Sequence, residues 1–159
     1  MGNFLKDLAE SQVAVDAVLD YLIDRGFVAH ELEGKREQKR GDIRYYPEGD
    51  MDKPMDLEIK YDKMSKRTGN MCFEVANNKG MTGICKTKAD RIVYVCPSTD
   101  KFEVYLFDPT TLKEFLFNPA SDVKFANGGD KKRFMLALVK KTTIISEGVW
   151  CQRWEIPNA

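Results

Sequence analysis

Apolar and polar positions recur along this chain with two different periods, and each change of period marks a new element. From Phe4 to Arg25, Leu8, Val15, Leu19 and Leu22 fall at helical steps, which predicts one amphipathic helix closed by Gly26. Asp16, Asp20 and Asp24 form its polar stripe. Glu10 stands off that stripe, at helical steps from Val13, Ala14, Ala17, Val18 and Tyr21, and a carboxylate on an apolar flank calls for a reason.

The period then shortens to two. Phe27 to Leu32 reads as a first strand, followed by a charged turn at Gly34, and Asp42 to Tyr46 reads as a second. In the second, Ile43 and Tyr45 oppose Asp42, Arg44 and Tyr46. The segment PEGDMDKP is a turn. In Met55 to Asp62, the residues Met55, Leu57, Ile59 and Tyr61 alternate strictly with Asp56, Glu58, Lys60 and Asp62, giving one apolar and one charged face. Asn70 to Ala76 repeats the alternation and is expected in the same sheet. After a linker or short helix through KTKAD, Ile92 to Cys96 is a continuous apolar run typical of a central strand, and Phe102 to Phe107 is another strand. Asp108 and Pro109 open a helix through TLKEFLF. NGGD is a turn, while Phe134 to Ile145 and the stretch with Trp150 and Trp154 carry no period that decides between helix and strand.

These elements predict an α/β or α+β domain spanning residues 1–159, an N-terminal helix leading into a mixed sheet. At 159 residues and 43% hydrophobic, the chain is long enough to bury a core without disulfides or structural metal. Neither a leader-like N-terminus nor an apolar run of roughly 20 residues is visible, so a cytoplasmic protein without membrane contact is expected. Cys72, Cys85, Cys96 and Cys151 form no CxxC pair and have only His30 as a companion, which argues against zinc; they read as free thiols, with Cys72, Cys96 and Cys151 in apolar segments and expected buried. Net charge is zero with pI near 6.6, which argues against binding nucleic acid through bulk positive charge. The cations are nevertheless clustered: Lys35, Arg36, Lys39, Arg40 and Arg44; Lys63, Lys66 and Arg67; Lys86, Lys88 and Arg91; Lys131, Lys132 and Arg133. Converging, they would form a phosphate-facing surface.

Glu58 and Lys60, two apart on a strand, project from one side with their Cβ atoms roughly 7 Å apart. A carboxylate there suits a divalent cation, and an ammonium beside it suits orienting a water or offsetting phosphate charge. A second carboxylate from the neighbouring strand would complete an oxygen site for Mg²⁺, and Asp42, pointing away from Ile43 and Tyr45, is the best placed.

The ordered set of a helical Glu10, a strand Asp42 and Glu58-Ile59-Lys60 on the next strand resembles the signature of the PD-(D/E)XK nucleases. The segment ESQVAVDAVLDYLIDRGF is similar to the opening helix of Holliday junction resolvases. DLEIKYDKMSKRTGNMCFEV and TGICKTKADRIVYV are similar to small phage and prophage nucleases, so the resemblance runs from the first helix to Val95. It implies a restriction-endonuclease-like core, an N-terminal helix followed by a mixed central sheet with flanking helices. It also implies that Asp42, Glu58 and the Ile59 carbonyl hold Mg²⁺, with Mn²⁺ able to substitute, that Lys60 acts on the water or the phosphate, and that Glu10 holds a second metal or its water. The literal Pro before Asp42 is missing, and Asp56, close behind Pro54, competes for the role or serves as an auxiliary ligand. Glu74 is a further auxiliary ligand candidate and Lys88 a phosphate contact. The implied activity is metal-dependent hydrolysis of DNA, structure- or end-directed, in phage or host replication, recombination or repair, with a homodimer suiting a junction cutter. The alternative is a catalytically inactive nuclease-fold module that binds DNA or protein.

Overall fold

The computed structural model describes residues 2–34, 40–128 and 133–157. Lys35, Arg36 and Lys39 of the first basic cluster, Lys131 and Lys132 of the last, and the second half of NGGD lie outside the described residues.

Helix α1 (Gly2–Asp24) ends where predicted: Gly26 takes φ +88° and the Phe27 amide bonds back to Leu22, a reversal that a Cβ-bearing residue resists. Strands β1 (Val28–Glu31), β2 (Ile43–Tyr46) and β3 (Met55–Tyr61) follow as an antiparallel meander. A single helical turn, α2 (Ser65–Thr68), leads to β4 (Asn70–Asn77), the short β5 (Gly80–Met81) and a 3-10 turn at Gly83–Cys85. Then come β6 (Arg91–Pro97), β7 (Lys101–Phe107) and α3 (Pro109–Phe117), the last capped by the Asp108 carboxylate, which accepts from the Thr111 amide at 3.2 Å. β8 (Lys124–Gly128), β9 (Phe134–Lys140), α4 (Lys141–Glu147) and β10 (Gln152–Pro157) complete the chain.

The fold is α+β, with a mixed sheet in the order β1-β2-β3-β6-β7-β10 and a second, antiparallel sheet in the order β5-β4-β9-β8. β4 therefore leaves the first sheet, contrary to the sequence expectation. The reason lies in its neighbours: β3 and β6 pair in parallel, a parallel pair needs a crossover, and β4 is part of that crossover. Its alternating pattern fits either sheet, because alternation reports only that one face is buried.

Each face of the first sheet has its own core. On one side α1 packs Ala14, Val15, Val18 and Leu22 onto Leu57, Val93, Val95, Val104 and Leu106. Burial on α1 starts at Ala14, and Leu8, expected in the core, is 57% exposed because it precedes that contact. On the other side the second sheet presses Met71, Phe73, Ala137 and Val139 onto Ile92, Tyr94, Tyr105 and Phe107. These contacts come from β6 and β7 on the first sheet, so the charged face of β1, β2 and β3 is left without a second-sheet core over it. Among the described residues, no helix is long and apolar enough to cross a membrane. Cys151, expected buried, is exposed just before the edge strand β10, while Cys96 is buried at the sheet centre.

Candidate active site

The register between β2 and β3 decides where the carboxylates go. Ile43 pairs with Leu57 and Arg44 with Asp56, which brings Asp42 alongside Glu58. The Asp42 amide donates to the Leu57 carbonyl at 2.7 Å, its carbonyl accepts from Leu32 at 2.8 Å, and its carboxylate accepts from the Ile59 amide at 2.8 Å. The Asp42 side chain is therefore fastened to the backbone between Glu58 and Lys60. Gly41 makes this approach possible: a Cβ there would stand 2.6 Å from the Leu57 carbonyl oxygen.

On β3, Leu57 and Ile59 face α1. Asp56, Glu58 and Lys60 consequently face the other way, with Glu58 level with Ile92 and Lys60 level with Tyr94 on β6. Glu58 is half-buried and Lys60 exposed, at the margin where the second sheet begins. Burial raises the Cys72 thiol on β4, and Lys60 works against that shift while Asp62 and Glu74 add to it, so these four side chains share one neighbourhood.

Asp56 and Glu10 are engaged elsewhere. Asp56 is 2% exposed and a bare carboxylate there would be costly, but Arg44 meets it with a two-pronged bond at 2.7 and 3.0 Å, and Arg40 approaches to 3.7 Å. The hydrogen bond to Asp56 in turn raises Arg44 above its ordinary value. Both Asp56 oxygens thus serve Arg44. Glu10 rides on α1, on the opposite face from Glu58 and Lys60, and pairs with Lys63 beyond the end of β3 at 2.9 Å. Its off-stripe position is explained by that ion pair. Lys88 is exposed, and its carbonyl accepts from Arg40.

Residues not singled out from the sequence also shape the site. His30 is level with Arg44 across β1 and β2, so the polar face continues outward through Arg44 to His30. Tyr94 is fully buried; its hydroxyl donates to the Asp62 carboxylate and accepts from the Cys72 amide at 2.8 Å. Asp62 also accepts from the amides of Met64 and Ser65, so this one joint ties β3, α2, β4 and β6 together behind Lys60. A tyrosine inside an apolar run was the available signal, since a buried hydroxyl needs a partner. Trp154 packs on Tyr21 of α1 with ring centroids 5.0 Å apart.

Among the described residues, no group of three or more His, Cys, Asp or Glu side chains converges as a metal cage. The pair that adjoins is Asp42 with Glu58, hard oxygen donors on neighbouring strands, and such a pair fits a cation that retains most of its water.

No family model matches the chain, and no curated protein matches it. Among solved structures the chain is similar to a bacterial homing endonuclease, I-Ssp6803I, at 18% identity and a TM-score of 0.47, over 64% of this chain and 68% of that one. At that identity and TM-score the likeness says nothing about activity.

Proposed function

We propose that this protein is a metal-dependent deoxyribonuclease that hydrolyses DNA phosphodiester bonds on the open face of β1, β2 and β3. The observation that carries the reading is the Asp42 carboxylate held at the Ile59 amide, between Glu58 and Lys60, on a charged face without a second-sheet core over it. Asp42 and Glu58 are the proposed ligands of Mg²⁺, or of Mn²⁺ in its place. The chemistry such an ion supplies is Lewis-acid activation of water and neutralisation of phosphate charge. Lys60, exposed beside them, would donate to a phosphate oxygen or orient the attacking water. Arg44 and Arg40 line the approach and are partly committed to Asp56. The proposed activity is branch- or end-directed cleavage in replication, recombination or repair.

The test is incubation with branched, duplex and single-stranded DNA plus Mg²⁺ or Mn²⁺, with Glu58→Ala and Lys60→Ala alongside. Each substitution is expected to slow cleavage on the order of 10²- to 10³-fold, the usual cost of losing one preorganised charge partner in a transition state. Cleavage that survives both would overturn the assignment.

One observation favours a second reading, a nuclease-like module that binds DNA or protein without cutting. Two of the three other carboxylates read from the sequence as ligands, Glu10 and Asp56, are tied to Lys63 and Arg44. Binding of DNA with no cleavage under any divalent cation would select that reading.

A further inference from the structure

Along the first sheet from Asp42 and Glu58, two clefts of about 330 and 280 Å³ adjoin one another at Glu103 on β7. Ser65, Lys66, Ser98 and Lys141 line the first; Tyr105, Arg153 and Glu155 line the second. A cross-strand row of the first sheet links them to the proposed active site: Lys60 is level with Tyr94, Tyr94 with Tyr105, and Tyr105 with Arg153. Three strand spacings, roughly 14 Å, separate the ends of that row.

The charges in the clefts are matched unevenly. Glu103 pairs with Lys141, and Glu155 pairs with Lys101 at 2.8 Å. Among the described residues Lys66 and Arg153 make no ion pair, although, after Lys101, the Arg153 charge reaches Glu155 and helps to lower its pKa; Lys66 donates to the Thr99 hydroxyl at 3.1 Å. Arg153 is exposed, yet it does not hang free in solvent. Its guanidinium lies 5.0 Å from the Tyr105 ring and 5.7 Å from the Trp150 ring, and it donates to the Tyr105 hydroxyl at 3.3 Å. A planar cation propped by two rings keeps a fork of donors for a phosphate and a flat surface on which a base can stack. Each cleft has the volume of about one small ligand.

We propose that the paired clefts bind a short single-stranded nucleic-acid segment, with phosphates at Lys66 and Arg153 and a base against the Arg153 guanidinium. The proposal deepens the nuclease reading and rests on it for its role: the clefts would hold the strand leading to or from the scissile phosphate. The alternative partner for Lys66 and Arg153, a phosphorylated peptide, lacks the flat bases that a propped guanidinium favours.

The test is fluorescence anisotropy of a labelled oligothymidylate with the full chain, without divalent metal so that binding is read apart from cleavage. Lys66→Glu and Arg153→Glu are each expected to weaken binding about tenfold, the cost of one charge-assisted hydrogen bond to phosphate. Each should also reduce the salt dependence of log K by about 0.7 for every phosphate that is no longer neutralised. Lys124→Glu, on the edge strand of the second sheet, should bind as wild type. Arg153→Gln, read the same way, serves if charge reversal impairs folding, and thermal melts verify that each variant is folded. Wild-type affinity and salt slope in folded Lys66 and Arg153 variants overturn the proposal while leaving the nuclease reading intact. Displacement of the oligonucleotide by a phosphoserine peptide at equal concentration overturns the choice of nucleic acid. Weakened binding in the variants of a protein that cuts no DNA retains the clefts and removes the nuclease.

Discussion

One face of the first sheet is split into two halves of opposite character. Under the second sheet, β6 and β7 present Ile92, Tyr94, Tyr105 and Phe107, and the polar atom among them that reaches deepest, the Tyr94 hydroxyl, is bonded on two sides. Outside that cover, β2 and β3 present Asp42, Arg44, Asp56, Glu58 and Lys60, as their register requires. The same contrast recurs within the open half. Asp56 is buried and neutralised by Arg44, whereas Asp42, one strand away, is half-buried and fastened by a backbone amide. One carboxylate is buried against a guanidinium and the other is oriented at the surface by a backbone amide. The sequence alternation is the same for both.

Breaking the pair at Asp56 has the largest expected effect on stability. Arg44→Ala leaves a carboxylate 3% exposed without its main partner, which costs about 3–5 kcal/mol for a fully buried pair. Because Arg44 is itself 33% exposed and Arg40 stands within 3.7 Å, we expect about 2 kcal/mol from denaturant titration. Replacing both residues by apolar ones of similar volume should restore most of it. A drop under about 0.5 kcal/mol for Arg44→Ala would place Asp56 among the solvated charges.

Gly41→Ala comes next and separates fastening from chemistry. The added Cβ collides with the Leu57 carbonyl, so the chain must shift at the residue that seats Asp42. Expected outcomes are about 1–2 kcal/mol of destabilisation and, if the nuclease reading holds, a fall in kcat larger than the rise in KM. Lys60→Ala is the counterpart: stability within about 0.5 kcal/mol of wild type, because Lys60 is exposed.

A smaller effect than at Asp56 sits under the cover. Tyr94→Phe removes the hydroxyl shared by Asp62 and Cys72 and should cost about 1–2 kcal/mol near neutral pH. It also has a pH signature. Burial raises Tyr94 above its ordinary 10.0 and lifts Cys96 from 9.0 to about 11. The folded protein thus keeps protons that the unfolded chain releases. The contribution of these two groups is full below pH 9 and is lost as pH rises, first through Cys96 between 9.0 and about 11 and then through Tyr94 above 10.0, with the other buried or half-buried phenols and thiols adding in the same direction. Urea midpoints measured from pH 8 to 11 should show this decline, and it should be shallower above pH 10 in the Phe variant.

Much of the site was legible in the primary structure because strand alternation is a local property. Glu58 and Lys60 had to share a face once Leu57 and Ile59 were buried, and Asp42 had to oppose Ile43. Glu10 is visibly displaced from its helix stripe; its meeting with Lys63 joins distant segments in a way that no local period encodes. Likewise Asp56 and Glu58 look alike on β3, and only the neighbouring strand, bringing Arg44 to one and Asp42 to the other, tells them apart.

What the amino-acid order determined alone is the set of elements and their faces: the length of α1, the strict two-sidedness of β3, the buried run of β6 and the Asp-Pro start of α3. Tertiary structure decided the rest. The parallel pairing of β3 with β6 sent β4 into a second sheet, and that sheet's position made half of one face a core and left the other half charged. Local periodicity reports which side of an element is buried, but which element buries it depends on pairings between residues far apart in the chain.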